Sequence, residues 1–447
     1  MDIAKLTNDQ RNAYQEFINF LLNPNQSNLI IQGSAGTGKT FLTKYLIEEG
    51  INNYKATCTT LGITDPYVDY AVTATTNKAV EALDHQVSLP PYKDIVTITS
   101  FLGLHVAYNP KLHKQTLMPN NNDTYRCNQI IFIDECSMIN EELFTFINQK
   151  CKHCKIVYIG DKYQLPPVKE KISPIYTCGY PEVVLKQPVR NAGNQALVNL
   201  CTQLKDTCET GIWNDIHSVP GSIEVIKDGN EWQKIIDKEF LHQDENKKIL
   251  AYSNNLVTSY AEYIMQLRGE TDYLVAGSWY TSNAYYTNQA IENQKLHIDS
   301  PVLVKEVNDN VSDSYYEMYK LDVDKWKPLH VLSKIKVYSP ILNKTWSDIT
   351  FSKPEYYQQY MKSLYKTSPR FYYEVSNQTL DLRKVEASTV HKAQGSTLDT
   401  VFIDLDDISK CTQKHLTAKL LYVAASRARK KIIFFGELAK RYGVTVS

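Results

Sequence analysis

Short apolar runs alternate with amphipathic segments along the first part of the chain. The amphipathic segments at residues 78–83 and 141–149 carry apolar positions at helical spacing. The apolar runs have the length of buried strands and cover residues 29–31, 71–74, 129–133 and 155–159. Strands that alternate with helices predict a mostly parallel sheet with helices on both faces.

A second alternating region occupies the C-terminal part of the chain. It begins with a strand at 248–252 and a helix that ends at about Leu267. It resumes with a strand at 401–403, a helix through Leu421 and a last strand at 432–435. This repetition of the first pattern predicts a second domain of the same kind.

Two segments interrupt the alternation. Prolines and asparagines between residues 90 and 122 predict a small excursion from the first domain. Tyrosines and short β-type runs at about 270–384 predict an inserted β-rich subdomain, whereas residues 210–245 give no clear signal. The pattern therefore predicts an α/β protein with two domains, residues 1–190 and 191–447.

Composition narrows the class of protein. Of the 447 residues, 43% are hydrophobic and 22% charged, which excludes a disordered or fibrous chain. The formal net charge is +0, so a polyanion must be bound by a local site. Nine scattered cysteines without a signal peptide predict a reduced, cytoplasmic setting. Cys151 and Cys154 have the spacing of metal ligands, but no second pair of cysteines stands at zinc-finger distance. No apolar stretch reaches the roughly 20 residues that span a bilayer.

A glycine-rich loop follows the first strand and precedes a helix. It matches the pattern GxxxxGK[ST], in which backbone amides wrap nucleotide phosphates. Lys39 is placed to neutralise the β- and γ-phosphate oxygens, and Thr40 to hold Mg²⁺. The predicted ATP-binding residues of this loop are Gly33, Ala35, Gly36, Thr37, Gly38, Lys39 and Thr40.

Two further strands end in residues that a nucleotide hydrolase needs. The strand at 129–133 leads into Asp134 and Glu135, which are suited to hold Mg²⁺ and to activate the attacking water. The alternative role of such an acidic pair is to cap the next helix. The strand at 155–159 leads to Gln164, which is placed to contact the γ-phosphate.

These strings together resemble a known family. GSAGTGKT (33–40), IDECSM (133–138) and GDKYQLPPV (160–168) look like motifs I, II and III of the superfamily 1 helicases. ASTVHKAQG (387–395) resembles motif V of the RecD-like branch and of bacteriophage Dda helicases, and YVAASRAR (422–429) resembles motif VI. The resemblance covers nearly the whole chain. It implies two RecA-like domains, with a pin-like insertion in the first and an SH3-like insertion in the second.

The resemblance also assigns roles in nucleotide binding. Gln10 lies in a string similar to the Q motif and is implied to read the adenine edge. Arg190 and Gly395 belong to strings similar to motifs IV and V and are implied to contribute to ATP binding. Arg427 is implied to be an arginine finger, which places ATP at the interface of the RecA-like domains. Its alternative role is that of a basic helix end, favoured by the helix dipole.

Strings similar to strand-contacting motifs imply a path for single-stranded DNA. Hydroxyls, amides and local cations suit such a path in a protein without net charge. Threonine and serine are also ordinary strand residues, and His391 is equally compatible with a satisfied loop histidine. The predicted DNA-binding residues are Thr75, Thr76, Asn77, Thr99, Ser388, Thr389, His391 and Lys392.

The sequence therefore predicts a DNA helicase that uses ATP and Mg²⁺, with 5′ to 3′ movement implied by the resemblance alone. Its predicted partners are single-stranded DNA, junctions with duplex DNA, and single-strand-binding, replication or recombination proteins. The predicted location is the cytoplasm, or the host cytoplasm for a phage-encoded protein. There are two alternatives. One is a small-molecule kinase, and the other is a DNA-binding accessory subunit or a DNA-stimulated ATPase that does not unwind duplex DNA. The joint presence of Lys39, Glu135 and Arg427 favours the helicase.

Overall fold

The chain forms two units, which are described separately. The computed structural model describes residues 5–447 except 65, 68, 85, 88, 91–92, 110–113, 121–124, 168–169, 190–192, 245, 271, 284–285, 288–294, 297–299, 330 and 341–342. Unit 1 comprises Met1–Val225, Gln394–Val401 and Ile408–Ser447, and unit 2 comprises Ile226–Ala393 and Phe402–Asp407. The division into domains at residue 190 stays a prediction.

The described elements are numbered in chain order. The strands are β1 Asn28–Gly33, β2 Asp69–Ala74, β3 Val96–Thr97, β4 Leu104–Asn109, β5 Lys114–Pro119, β6 Arg126–Cys127, β7 Gln129–Asp134, β8 Cys151–Lys152, β9 Lys155–Gly160, β10 Glu182–Leu185, β11 Ile223–Ile226, β12 Lys247–Ala251, β13 Trp279–Ser282, β14 Tyr286–Thr287, β15 Lys295–Leu296, β16 Pro301–Asn308, β17 Leu332–Ser339, β18 Lys344–Ser352, β19 Leu382–Lys384, β20 Ala387–Thr389, β21 Leu398–Asp404 and β22 Ala428–Phe435.

The helices follow the same numbering. They are α1 Asn8–Leu22, α2 Lys39–Tyr45, α3 Ile51–Thr60, α4 Asn77–Asp84, α5 Ile98–Phe101, α6 Glu141–Lys150, α7 Gln195–Thr210, α8 Gly229–Phe240, α9 Asn254–Leu267, α10 Asp313–Met318, α11 Val323–Trp326, α12 Pro354–Thr367, α13 Pro369–Gln378, α14 Val390–Ala393, α15 Leu405–Ile408 and α16 Lys414–Ala425. A π-helical turn at Leu46–Gly50 joins α2 to α3. Among the described helices, none combines the length and the apolar character that a bilayer crossing requires.

The central sheet of unit 1 has the strand order β10-β1-β9-β7-β2-β3, and every pair is parallel. Gln32 lies opposite Gly160, and Ala74 lies opposite Asp134. The carboxyl ends of β1, β9 and β7 therefore meet at one edge of the sheet. The predicted parallel sheet is confirmed, and this edge carries the glycine-rich loop and the acidic pair.

Alternate side chains of the strands enter two hydrophobic cores, one on each face of this sheet. Ile31 and Phe132 belong to the core that contains α1 and α2, and Ile30 and Ile131 belong to the core that contains α5 and α6. Strand β9 is buried along its whole length. Burial of an isoleucine side chain contributes about 2 kcal/mol relative to exposure, which explains why such continuous apolar runs occupy the middle of the sheet.

Lys155 is a charged residue in this interior, with only 2% of its surface exposed. Its ammonium group donates to the carbonyl oxygens of Phe20, Asn23 and Gln26. These carbonyls lie at and just beyond the end of α1, where the helix dipole favours a cation. Lys155 therefore joins the start of β9 to α1 with hydrogen bonds that replace those it would make to water.

A β-hairpin of β4 and β5 lies where the sequence predicts an excursion from the first domain. Leu104 lies opposite Pro119, and Val106 lies opposite Leu117. Leu104 and Leu117 pack on the core around α6, whereas Val106 is 59% exposed. The hairpin is thus attached to the sheet domain by its apolar contacts and also presents an apolar side chain to solvent.

Unit 1 also contains most of the neighbouring strands β11 and β21, the strand β22 between them, and the helices α7 and α16. Helix α16 is buried on all sides from Thr417 to Ala425, as expected of a helix in a core. Helix α7 packs against α16 and buries three of its leucines. This packing brings Tyr422 and Arg427 into the same unit as the glycine-rich loop.

Unit 2 contains a parallel pair of strands and an antiparallel sheet. Strand β12 pairs with β20, with Ile249 opposite Ala387. The antiparallel sheet has the order β18-β17-β16-β13-β19. Tyr280, Val302 and Trp346 belong to its core. This sheet lies in the segment that the sequence predicts as β-rich.

Helices α10 to α13 give the same segment a helical part that the sequence analysis did not predict. Their core includes Tyr316, Trp326 and Met361. Tyrosine favours strands by propensity, but Tyr357, Met361 and Leu364 recur at helical spacing, and a proline opens α12. Helix α8 likewise occupies part of the region 210–245, where the sequence gives no clear signal.

Candidate nucleotide-binding site

Close approaches require two glycines in the P-loop, residues 33–40. A Cβ atom on Gly33 would lie 2.5 Å from Thr37 Oγ1, and one on Gly38 would lie 2.6 Å from Gln10 Nε2. Gly38 also has a φ of +79°, in the left-handed region that glycine adopts without strain. Glycine at these positions lets the chain turn from β1 into α2.

The ammonium group of Lys39 lies within the P-loop. It donates to the carbonyl oxygen of Gly33 at 2.7 Å and to that of Ser34 at 3.2 Å. The Thr37 hydroxyl donates to the same Ser34 carbonyl at 2.9 Å. A cation among backbone groups at the start of a helix suits nucleotide phosphates. A bound phosphate would take the place of these carbonyl oxygens as the partner of Lys39.

Gln10 holds the P-loop against α1. It is 2% exposed, and its Oε1 accepts a hydrogen bond from Thr7 N at 3.0 Å in a capping box. Its Nε2 lies 3.3 Å from the carbonyl oxygen of Thr37 and 3.4 Å from that of Gly38. The structure therefore gives Gln10 a supporting role, and its contact with adenine stays a prediction.

Asp134 and Glu135 lie at the end of β7. Asp134 Oδ1 accepts a hydrogen bond from Glu135 N at 2.8 Å. Burial raises the pKa of Asp134 to about 7, the charge of Glu135 adds to this rise, and Lys39 opposes it. Glu135 has a φ of +53°, and its Oε2 is buried without a hydrogen-bond partner among the described residues. An unpaired carboxylate oxygen on a residue of unusual backbone conformation is typical of a functional site.

Thr40 and Asp134 fit the predicted Mg²⁺ site by their chemistry, because hydroxyl and carboxylate oxygens are the ligands that this ion prefers. The unpaired Oε2 of Glu135 adds a buried acceptor for a water molecule near these ligands. Within the described ranges, no cluster of three or more histidine, cysteine, aspartate or glutamate side chains could hold a metal. Phosphate oxygens and water would therefore complete the coordination.

Arg427 is 3% exposed and hydrogen-bonded near the end of α16. It donates to the carbonyl oxygens of Val423 at 3.1 Å and Ser396 at 3.3 Å, and to Ser426 Oγ at 2.8 Å. Burial lowers the pKa of Arg427, and the charge of Glu135 opposes this effect. Arg427 is buried and not solvated, but its bond to Val423 in the last turn of α16 agrees with the alternative role at a helix end. Its role as an arginine finger stays a prediction.

Tyr422 is a functional candidate that sequence reasoning missed. Its hydroxyl donates to Asp161 Oδ2 at 2.7 Å and accepts from Ala35 N at 3.1 Å. Asp161 is fully buried, and its Oδ1 accepts from Tyr163 N at 3.1 Å. The phenol thus connects the P-loop to the turn after β9 that carries Gln164. Nothing in the apolar run 420–425, which contains Tyr422, signals this role.

Gln164 lies beside the last residues of the motif V string. It is 2% exposed, and its Oε1 accepts from Gln394 Nε2 at 2.8 Å. Gly395 follows with a φ of +81°. Gln164, which is predicted to contact the γ-phosphate, therefore lies next to the end of the motif V string, which is predicted to contact DNA and ATP.

A cleft of about 70 Å³ lies against the P-loop and is lined by residues of α7 and α16. Lys186 and Lys205 line it and add two cations that the sequence analysis did not single out. Lys186 belongs to the same LKQPVRN string as Arg190, which lies outside the described residues. A cluster of cations at the P-loop suits a polyphosphate.

In unit 1, the three predicted DNA-binding threonines have partners within the protein. Thr75 Oγ1 donates to the carbonyl oxygen of Glu135 at 2.9 Å. The Thr76 hydroxyl accepts from a backbone amide in the first turn of α4, which Asn77 begins, and Thr99 Oγ1 lies 3.0 Å from a neighbouring threonine hydroxyl. Thr75 therefore joins the predicted DNA path to the backbone of Glu135, while the others support local turns.

In unit 2, the predicted DNA-binding residues lie on β20 and α14. Ser388 Oγ is buried without a hydrogen-bond partner among the residues that the structure describes. Thr389 Oγ1 accepts from Lys392 N at 3.4 Å, and the His391 ring lies 6.3 Å from the Tyr252 ring. Their contacts with DNA stay predictions.

We expect Tyr422→Phe to weaken ATP binding roughly tenfold and to lower the free energy of unfolding by about 1–2 kcal/mol, because Ala35 N and Asp161 each lose a buried partner. The measurements are titration with a fluorescent ATP analogue and urea denaturation. Tyr158→Phe is the matched control, since the Tyr158 hydroxyl is buried without a partner among the described residues. Equal effects of both variants would contradict the role assigned to Tyr422.

Comparisons with known proteins cover both ends of the chain. An AAA domain model matches residues 19–170, and a UvrD-like helicase C-terminal domain model matches residues 384–435. The ATP-dependent DNA helicase dda of Enterobacteria phage T4 is 24% identical over 97% of this chain and 100% of its own length. The ATP-dependent DNA helicase Pif1 of Campylobacter jejuni is 24% identical over 90% of this chain and 86% of its own.

A solved structure supports the fold. The crystal structure of a Pif1 helicase from Bacteroides in complex with ADP-AlF3 and ssDNA aligns with a TM-score of 0.51 and 14% identity. The alignment covers 97% of this chain and 94% of that chain. At this level of identity the likeness establishes a shared mixed α/β fold.

Proposed function

We propose that the chain is an ATP-dependent DNA helicase that moves 5′ to 3′ on single-stranded DNA. The premise is that it belongs to the superfamily 1 helicases of the Dda and Pif1 type. The family resemblance predicted from the motifs is confirmed by these relatives. The observation that carries the proposal is the burial of Arg427 in one unit with Lys39, Glu135 and Gln164. A nucleotide hydrolase needs this combination of side chains.

In the proposed reaction the P-loop holds the triphosphate of ATP. Lys39 binds the β- and γ-phosphate oxygens, and Thr40 and Asp134 would hold Mg²⁺, which would supply positive charge to the phosphates. Glu135 orients the attacking water and accepts its proton, for which its unpaired Oε2 is available. Arg427 stabilises the charge on the γ-phosphate in the transition state. Gln10, Gly395 and Arg190 complete the proposed ATP site.

Two contacts support coupling between hydrolysis and DNA. Gln164, proposed to contact the γ-phosphate, is hydrogen-bonded to Gln394 at the end of the motif V string. Thr75, proposed to contact the strand, is hydrogen-bonded to the backbone of Glu135. Loss of the γ-phosphate would change both hydrogen bonds, so that each turnover alters the grip on DNA.

The remaining assignments follow the family resemblance. The proposed single-strand path uses residues 75–77, Thr99, Ser388, Thr389, His391 and Lys392. The hairpin of β4 and β5 is proposed to act as the pin that separates duplex DNA, and the antiparallel sheet of unit 2 as the SH3-like insertion. The exposed Val106 supports the first assignment, because an apolar side chain can stack on an opened base pair.

Tailed duplexes test the direction of movement. We expect the protein with ATP and Mg²⁺ to separate a duplex with a 5′ single-stranded tail, and to leave a duplex with a 3′ tail or blunt ends intact. The strands are resolved on a native gel, with Lys39→Ala as the inactive control. Separation of the 3′-tailed duplex alone would contradict the polarity. Hydrolysis that depends on DNA but separates neither duplex would favour the alternative of a DNA-stimulated ATPase.

A further inference from the structure

A cavity of about 620 Å³ lies between α12 and α13 in unit 2, outside the residues assigned to ATP or DNA. Its volume is in the range of small-ligand sites. Tyr357, Tyr365 and Tyr372 contribute aromatic surface to its lining, and Ser376 contributes a hydroxyl. The cavity therefore offers flat apolar faces together with hydrogen-bonding groups.

Tyr365 is the most accessible ring of this cavity. It is 41% exposed, and its ring centre lies 5.2 Å from that of Tyr372 at an interplanar angle of 75°. This edge-to-face contact fixes the orientation of Tyr365 and leaves its surface accessible. An exposed aromatic face held in one orientation is suited to stacking with a nucleobase, a contact that every base can make.

The charges around the cavity favour an anion. Lys362 and Lys366 line it from one face of α12, and both are exposed. Residues four apart on a helix have Cβ atoms about 5–6 Å from each other, so the two ammonium groups form one local patch. Among the described residues of the lining, the one carboxylate is that of Asp381, which is paired with Arg383 at 3.3 Å and accepts a hydrogen bond from Asn283. The described part of the lining is therefore positive.

We propose that this cavity binds one nucleotide of single-stranded DNA, with its base stacked on Tyr365 and its phosphates at Lys362 and Lys366. Stacking faces and cations side by side are the two elements that sequence-independent single-strand binding combines. An acidic peptide would use the lysines but not the ring faces. The inference rests on the proposed function, since it adds a second strand contact to a protein that moves on DNA.

Salt dependence of binding provides the test. Fluorescence anisotropy of a labelled oligo(dT) is followed with the full chain, without nucleotide, at several salt concentrations. Each cation that neutralises a phosphate of a single strand contributes about 0.7 to the slope of log K against log salt. We expect the double variant Lys362→Gln/Lys366→Gln to reduce the magnitude of this slope by about 1.4. Tyr365→Leu is expected to weaken binding roughly tenfold with an unchanged slope.

Matched controls separate the possible outcomes. Lys234 and Lys238 are also exposed and four residues apart, on α8 of the same unit, so Lys234→Gln/Lys238→Gln is expected to leave the slope unchanged. Equal slopes for both double variants would overturn the inference and leave the proposed function intact. A wild-type chain that does not bind oligo(dT) would overturn both. Binding of a polyglutamate peptide that needs Lys362 and Lys366, with DNA binding unaffected, would assign the cavity to an acidic peptide instead.

Discussion

Lys39→Ala abolishes ATP hydrolysis in the proposed mechanism, with an expected loss of roughly 10³-fold, or about 4 kcal/mol of transition-state stabilisation. The ammonium group already lies inside the P-loop, 2.7 Å from the Gly33 carbonyl oxygen. Alanine leaves the phosphates without this cation, so unwinding is lost as well. Binding of single-stranded DNA is expected to survive, because Lys39 lies outside the proposed strand path. Phosphate release and oligo(dT) anisotropy measure the two properties.

Lys44→Ala is the matched control for this variant. Lys44 lies on the same helix, and its only ion pair among the described residues is a partly exposed contact with Glu48 at 3.7 Å. Such pairs contribute little to stability, so the control is expected to keep full activity. Hydrolysis by Lys39→Ala above one tenth of the wild-type rate would contradict the assignment of the P-loop as the catalytic phosphate site.

Glu135→Gln is expected to slow hydrolysis by roughly 10²- to 10³-fold while ATP still binds. Glutamine keeps the size of the side chain but cannot accept the proton of the attacking water. The affected oxygen is the buried Oε2, which has no hydrogen-bond partner within the described residues. Single-turnover phosphate release measures the chemical step, and titration with a fluorescent ATP analogue measures binding.

Glu141→Gln provides the comparison for this carboxylate. Glu141 is exposed in the first turn of α6, where its charge interacts favourably with the helix dipole. If Glu135→Gln and Glu141→Gln slowed hydrolysis to a similar extent, the loss would reflect the removal of a negative charge. Glu135 would then not act as a base. Loss of ATP binding in Glu135→Gln would assign Glu135 to nucleotide or metal binding.

The part of the site that lies at strand ends could be predicted from sequence. Parallel strands bring their carboxyl ends to one edge, so residues that follow β1, β7 and β9 must come together. Lys39, Asp134 and Gln164 follow this rule, because Asp134 ends β7 and the other two come after the loops that leave β1 and β9. Local patterns were sufficient here, since the geometry depends only on the fold class.

The role of Tyr422 could not be predicted in this way. Its hydrogen bond to Ala35 N joins residues 387 positions apart, and it lies within the apolar run 420–425 at the end of α16. A tyrosine in such a helix is expected to fill the core, and its hydroxyl has no partner in the neighbouring sequence. Gln10 could be predicted only in part. Its position in the capping box is evident from the sequence, but its contact with the P-loop is not.

The helices of unit 2 show a different limit. Tyrosine-rich segments predict strands by propensity, and the antiparallel sheet of unit 2 agrees. In α12, however, the tyrosines recur at helical spacing and pack on Trp326 and Met361. These contacts, and not the strand propensity of tyrosine, decide the structure of the segment. The cavity proposed to bind a nucleotide belongs to this unpredicted part of the chain.

The most direct test of the central claim is ATP hydrolysis by the purified chain with Mg²⁺, measured alone, with single-stranded DNA and with an equal amount of blunt duplex. We expect strong stimulation by the single strand and little by the duplex, because the proposed function couples hydrolysis to the proposed strand path through the contacts of Thr75 and Gln164. A rate that is the same under all three conditions, or no hydrolysis at all, would contradict a motor that moves on single-stranded DNA.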